Sequence, residues 1–235
     1  MHVWLTISAM KRTTFLLSLV GFLIVAPWLV VSGAEHNFAK WEKDIAAFEA
    51  ADRTNPPPKH AILFIGSSGI RKWRTLAKDF PQHQVINRGF GGSEMIDSMH
   101  FAERIVLPYE PRQIFVRAGG NDLAAEKTPE QVLAAFKEFV AKVHAKLPET
   151  EIVCIGWNPT IKRWKQADKE KQMNNLISAY VHETPHTKFI DAYDFVLGPD
   201  GQPRADLLDT DKLHFNPEGY RRLADLVRPF LSKIP

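Results

Sequence analysis

Apolar and polar positions along the chain follow two alternating rhythms. Short apolar runs at residues 62–65, 84–87, 113–117, 152–156 and 188–191 are rich in branched and aromatic side chains and end at turn-forming residues, which predicts strands buried on both faces. Between them, apolar residues recur at helical spacing over about residues 69–78, 94–105, 129–147, 165–182 and 217–231. The third of these helices has the fullest local signature. Thr128 and Gln131 form a capping box, Pro129 suits the first helical position, and Val132, Phe136, Val140, Val143 and Leu147 share one face. Upstream, Phe38, Trp41, Ile45 and Phe48 mark an amphipathic helix that runs to about Arg53 and is stopped by Asn55-Pro56-Pro57-Pro58. Its aromatic stripe reads as core contact rather than as a ligand box. Strands alternating with helices predict an α/β fold with a five-stranded parallel sheet covered on both sides by right-handed crossovers. No linker divides the chain, so residues 35–235 are expected to form one domain.

The first 34 residues follow a different pattern. Met10-Lys11-Arg12 precedes an uncharged apolar run over residues 15–31, and Ser32-Gly33-Ala34 follows it. That order predicts a secretory signal peptide cleaved after Ala34, with Met10 as its natural start and export to the periplasm or the medium. An uncleaved membrane anchor is the alternative, and then the membrane is a partner through this segment alone. Removing the segment takes Lys11 and Arg12 and no acid, so 30 basic residues become 28 against 27 acidic. A nearly neutral body gives no electrostatic footprint for nucleic acid. Cys154 stands alone in an apolar run, which excludes an internal disulfide and predicts a buried strand residue.

Candidate chemistry clusters where the strands end. Residues 61–73, A-I-L-F-I-G-S-S-G-I-R-K-W, break from strand to turn at Gly66 and present Ser67 or Ser68 at the carboxyl edge of the sheet, where ligands of open α/β sheets bind. Asn87-Arg88-Gly89-Phe90-Gly91-Gly92-Ser93 follows the second strand, and its glycines let a backbone N–H approach a developing oxyanion. Arg117-Ala118-Gly119-Gly120-Asn121-Asp122 follows the third. Here Asn121 is a side-chain donor for the site, or else Asn121 or Asp122 closes an Asx turn or caps the next segment. Near the carboxyl end, Asp211 and His214 stand three apart, just before a helix capped by Asn216 with Pro217 at its first position. That spacing lets a carboxylate accept from His Nδ1–H and turn Nε2 outward as a base. No histidine pair has metal-ligand spacing, so neither metal nor cofactor is expected.

Together and in this order, the four blocks resemble those of the SGNH, or GDSL-type, serine hydrolases over nearly all of residues 62–231. The resemblance implies a three-layer α/β/α sandwich of flavodoxin-like topology and esterase or lipase-type activity. Position by position it makes Ser68 the nucleophile, His214 the general base and Asp211 its orienting acid. The Ser68 N–H, the Gly92 N–H and the Asn121 side chain become the oxyanion donors. The chain departs from the Gly-Asp-Ser-Leu block, with Ser67 in place of the acid and Gly69 after the nucleophile, as in a bacterial branch of the family. Strand alternation also lets only one of the two serines face the site.

Arg71, Trp73, Arg88, Arg117 and the segment 158–164 fall near this edge, with Asp122 as a nearby acid for Arg117. Trp164 there either packs on the protein or touches substrate. No long apolar surface favours an interfacial lipase. The expected activity is therefore hydrolysis of short acyl esters, acetyl above all, on a small-molecule or carbohydrate alcohol. An acyltransferase acting on an envelope polymer, or an inactive carbohydrate- or envelope-binding module, would use the same scaffold.

Overall fold

Five parallel strands in the order β2-β1-β3-β4-β5 carry the molecule. The computed structural model describes residues 1–2 and 36–233, so all of the segment read as a signal except its first two residues lies outside the described residues. The chain separates into two compact units, Met1–His36 and Asn37–Pro235, and every element described here belongs to the second.

In chain order, a 3-10 turn at Phe38–Trp41 leads into α1 (Glu42–Thr54), β1 (Ile62–Gly66), α2 (Ser68–Arg71) and α3 (Leu76–Asp79). Then come β2 (Val85–Gly89), α4 (Met95–His100), α5 (Ala102–Ile105), β3 (Gln113–Arg117), α6 (Gly120–Ala124) and α7 (Pro129–His144). The chain continues through β4 (Glu151–Ile155), α8 (Ala167–His182), β5 (Thr187–Ile190) and α9 (Pro217–Val227). All five predicted strands are present, shifted by at most two residues at an end.

The helices are more broken than their periodicity implies. The segment expected as one helix from residue 69 divides into α2 and α3, because the chain turns at Trp73 to bury that indole, 1% exposed, with Nε1 donating to Asp79 at 2.6 Å. Phe101, also 1% exposed, divides α4 from α5. Helix α9 stops at Val227 and a 3-10 turn follows, since Pro229 has no N–H to continue an α-helix. Helix α6 was not expected.

Strand alternation sorts the core into two faces. Leu63, Ile65, Ile114, Val116, Ile152 and Cys154 pack against residues of α1, α4, α5, α7 and α8. Ile62, Phe64, Phe115, Val153 and Ile155 pack against Trp73, Leu76, Phe80, Tyr220 and Leu223. The result is an α/β/α sandwich. The aromatic stripe of α1 serves the core as expected, with the Trp41 ring meeting Phe90 edge-on at 5.9 Å. Burial pushes the Cys154 thiol up to about 12, the state of an inert core cysteine.

Strand order reverses direction between β1 and β3, since β1 connects outward to β2 and β2 crosses back to β3. A crevice opens at the carboxyl ends of such a pair. Gly66 pairs with both Gly89 and Arg117, which sets the ends of three strands level there.

Candidate active site

Gly66 ends β1 with φ at +142°, and a Cβ on it would lie 2.0 Å from the Arg117 carbonyl oxygen. Only glycine permits that approach, and it lets the chain turn directly from strand into α2. Ser67 is buried, its N–H donates to the Arg117 carbonyl at 3.1 Å, and its hydroxyl has no partner among the described residues. Ser68 opens α2 and is half-buried. As a first helical residue it has an N–H that no carbonyl within the helix can accept. Two contacts hold this turn: Asn87 Nδ2 donates to the Ile70 carbonyl at 2.8 Å, and the Tyr220 hydroxyl donates to the Gly69 carbonyl at 3.0 Å.

His214 arrives from the loop before α9, which Asn216 caps by accepting from the Gly219 N–H at 3.0 Å. Its Nε2 lies 2.8 Å from Ser68 Oγ, and its Nδ1 lies 2.6 Å from Asp211 Oδ2. The second oxygen, Asp211 Oδ1, accepts from the backbone N–H groups of His214 and Leu213 at 2.9 and 3.0 Å. Burial works to raise the Asp211 carboxyl, but those N–H donors and the His214 ring outweigh it and hold the group well below the usual carboxylate range. An ionised Asp211 draws the Nδ1 proton, which leaves the Nε2 lone pair toward Ser68. Lys72 Nζ also reaches this pair, 3.4 Å from Asp211 Oδ2 and 2.9 Å from His214 Nδ1.

Asn121 stands on the first turn of α6. A Cβ on Gly120 would lie 2.2 Å from the Trp157 ring, so the glycine before Asn121 admits the indole that backs the site. Arg163 Nη2 donates to Asn121 Oδ1 at 3.0 Å and Arg163 Nη1 to the Gly120 carbonyl at 3.1 Å. With its oxygen occupied, the Asn121 side chain presents Nδ2, one hydrogen of which goes to the Ser93 carbonyl at 2.9 Å. Asp122 is not an Asx-turn residue. Both its oxygens lie 3.1 Å from the Met95 N–H at the start of α4. Burial raises the Asp122 carboxyl to about 6.

Ser68, His214 and Asn121 line one cavity of about 410 Å³, open mouth included, walled by Arg117, Trp157, Asn158, Leu213 and Phe215 among others. Gly92, with φ at +78°, sits in the exposed turn after β2 against the edge of Trp41 and is not among the lining residues. Arg117 donates to Asn158 and lies over the Trp157 ring at 4.7 Å, so the nearby acid Asp122 is not its partner. Arg71, Trp73 and Arg88 do not line the cavity. Arg71 sits 3.8 Å from Asp44, Trp73 is core, and Arg88 pairs with Asp52 at 2.6 Å. The contact of Arg163 with Asn121 and that of Lys72 with the Asp211–His214 pair carry no sequence signal. Among the described residues, no group of three or more His, Cys, Asp or Glu side chains is placed to hold a metal ion.

A serine beside an imidazole that is in turn held by a carboxylate is the arrangement of acyl-transfer sites. The family model for the GDSL-like Lipase/Acylhydrolase family matches residues 64–222. The chain belongs to that family. No curated protein matches it. Among solved structures, a Streptococcus pneumonia protein provisionally named a platelet activating factor aligns at 20% identity over 83% of this chain and 94% of its own, with a TM-score of 0.73. A GDSL-like lipase from Bacteroides thetaiotaomicron aligns at 20% identity over 83% of this chain and 96% of its own, with a TM-score of 0.64. An acetyl-xylooligosaccharide esterase from Geobacillus Stearmophilus aligns at 14% identity over 75% of this chain and 97% of its own, with a TM-score of 0.57. At these identities the likeness is one of fold, and that fold is the SGNH hydrolase sandwich.

Proposed function

We propose that this family member is an exported serine esterase that removes short acyl groups, acetyl above all, from a carbohydrate alcohol. The relay from Asp211 through His214 to Ser68, at 2.6 and 2.8 Å, is the observation that carries the reading. Ser68 Oγ attacks the ester carbonyl as His214 Nε2 takes its proton, and the C–O bond to the alcohol breaks as His214 returns that proton to the leaving oxygen. Water then attacks the acyl-enzyme in the same way, releasing the acid and freeing Ser68. The oxyanion is assigned to the Ser68 N–H and Asn121 Nδ2, both of residues that line the cavity, while the Gly92 N–H, outside that lining, is assigned on the family resemblance alone. Asp211 keeps the imidazole in the required tautomer and stabilises its charged form.

Two features support a short acyl group. Once open solvent is set aside, the enclosed part of the cavity is only about 30 Å³, with Trp157 and Phe215 among its walls, which leaves room for a small acyl group and not for a long chain. Among residues 36–233, the only large hydrophobic side chains classed as exposed are Ile161 and Trp164, so no broad apolar face is offered to a lipid surface. The carbohydrate part rests on the expected export and on the activity named for the Geobacillus structure. The test is a screen of acetylated sugars, phospholipids and aryl esters of graded acyl length, with product analysis in the presence of a sugar acceptor. A sharp fall in rate beyond short acyl chains, with free acid as product, is expected. A preference for long chains, or transfer to the acceptor in place of hydrolysis, would overturn the reading.

A further inference from the structure

A second groove, of about 960 Å³ with its open side included, adjoins the cavity and shares Arg163 with it. Its floor and walls include Leu123, Ile161, Trp164 and Gln166. Ile161 and Trp164 are 41% and 37% exposed, and the Trp164 indole makes no ring-stacking or cation–π contact among the described residues. A partly exposed indole in a groove rimmed by charged side chains is a stacking platform for a ring with one apolar face, and a pyranose is such a ring.

The charges around the indole are one-sided. Lys162, Arg163, Lys165 and Lys169 line the groove, against one carboxylate, Glu126. Lys169 reaches Glu126 at 3.5 Å, whereas Lys162 and Lys165 have no ion pair among the described residues. Four cations on one groove of a nearly neutral body are an electrostatic preference for an anionic ligand.

The groove is also fixed to the site from two sides. The Lys162 N–H donates at 3.1 Å to the carbonyl of Lys212, which sits between Asp211 and His214 in sequence. Arg163 spans to Gly120 and Asn121 on the other side. Residues 161–169 are therefore tied to the loop that carries Asp211 and His214 and to the turn that carries Asn121.

From this geometry we infer that the groove is a subsite for a neighbouring sugar of a carboxylate-bearing glycan, stacked on Trp164 and paired with Lys162 and Lys165, while the acylated sugar occupies the Ser68 cavity. This rests on the esterase reading and names its substrate class as an acidic polysaccharide.

The test compares kcat/KM on acetylated oligogalacturonides, acetylated neutral xylo-oligosaccharides of equal length and an aryl acetate. It uses the wild type, the double variant Lys162→Ser/Lys165→Ser, and Trp164→Ala. The wild type is expected to favour the acidic oligomer over the neutral one by about tenfold or more, an advantage that shrinks at high ionic strength. The double variant should lose most of that ratio through KM, and Trp164→Ala should lower turnover of both oligomers relative to the aryl ester. Equal use of acidic and neutral oligomers by the wild type, or a ratio unchanged in the double variant, would overturn the inference. Calorimetric binding of an unacetylated oligogalacturonide reads the groove without chemistry. Binding that weakens in the double variant, beside a chain that cleaves no ester, would sink the esterase reading and keep the subsite. Turnover of aryl acetate with no such binding would sink the subsite and keep the esterase.

Discussion

Arg163 Nη2 donates to Asn121 Oδ1 at 3.0 Å across 42 residues of sequence, and together with the bond from Asn121 Nδ2 to the Ser93 carbonyl at 2.9 Å that contact fixes which way the Asn121 amide faces in the Ser68 cavity. Amide rotation would exchange a donor for an acceptor at the assigned oxyanion position, and without Arg163 only the Ser93 carbonyl opposes it. Asn121→Ala is expected to lower kcat on an aryl acetate by about a hundred- to a thousand-fold, the loss of one donor among several. Arg163→Met should cost roughly tenfold in kcat by leaving the amide held through the Ser93 carbonyl alone, and Arg163→Lys should recover part of that. Unchanged turnover in Asn121→Ala would remove this residue from the oxyanion site.

The two adjacent serines separate on one measurement. Ser68→Ala is expected to lose on the order of ten-thousand-fold or more in kcat/KM on an activated acetate, because it removes the atom 2.8 Å from His214 Nε2. Ser67→Ala deletes a buried hydroxyl with no partner among the described residues and is expected to retain activity and folding. The opposite pattern would place the nucleophile one residue earlier.

How much of this was legible in the sequence depends on distance along the chain. The strand ends were readable because apolar runs and glycine turns are local, and the Asp211–His214 contact spans three residues. The 2.8 Å approach of His214 to Ser68 needed the resemblance to a family, since no local pattern joins residues 146 apart. The partner of Arg117 was not readable for the same reason. Asp122 is nearer in sequence, but Met95 claims both its oxygens, and Arg117 turns to Asn158 on the loop after β4. Periodicity likewise could not show the breaks at Trp73 and Phe101, because each is made by a side chain entering the core.

Gly66→Ala probes the turn itself. The new methyl would fall 2.0 Å from the Arg117 carbonyl oxygen at a φ of +142°, against the backbone of the neighbouring strand, where no flexible side chain can give way. The expected cost is on the order of 3 kcal/mol or more, seen as insoluble protein or a strongly lowered Tm. A soluble variant with wild-type Tm and activity would show that the turn relaxes without harm.

Glu170 on α8 supplies the last prediction, on pH and stability. It is fully buried, its Oε1 accepts from Gln166 at 2.8 Å, and its Oε2 has no partner among the described residues. Burial raises its carboxyl to about 7, against the opposing pull of Gln166, Arg117 and Arg163. The folded value lies above the ordinary one of about 4.3. Between the two the native state holds a proton that the unfolded chain has released, so stability falls as pH rises through that window. Asp122, raised to about 6, contributes in the same direction over the lower part of it. Glu170→Gln removes the larger share. It should match the wild-type Tm near pH 4.5 and exceed it by several degrees at pH 8, where the wild type buries a charge with no close ion pair among the described residues. Thermal melts across that range check the sign, and a variant less stable than wild type at pH 8 would mean that an ionised Glu170 is held by Arg117 and Arg163 more strongly than burial opposes it.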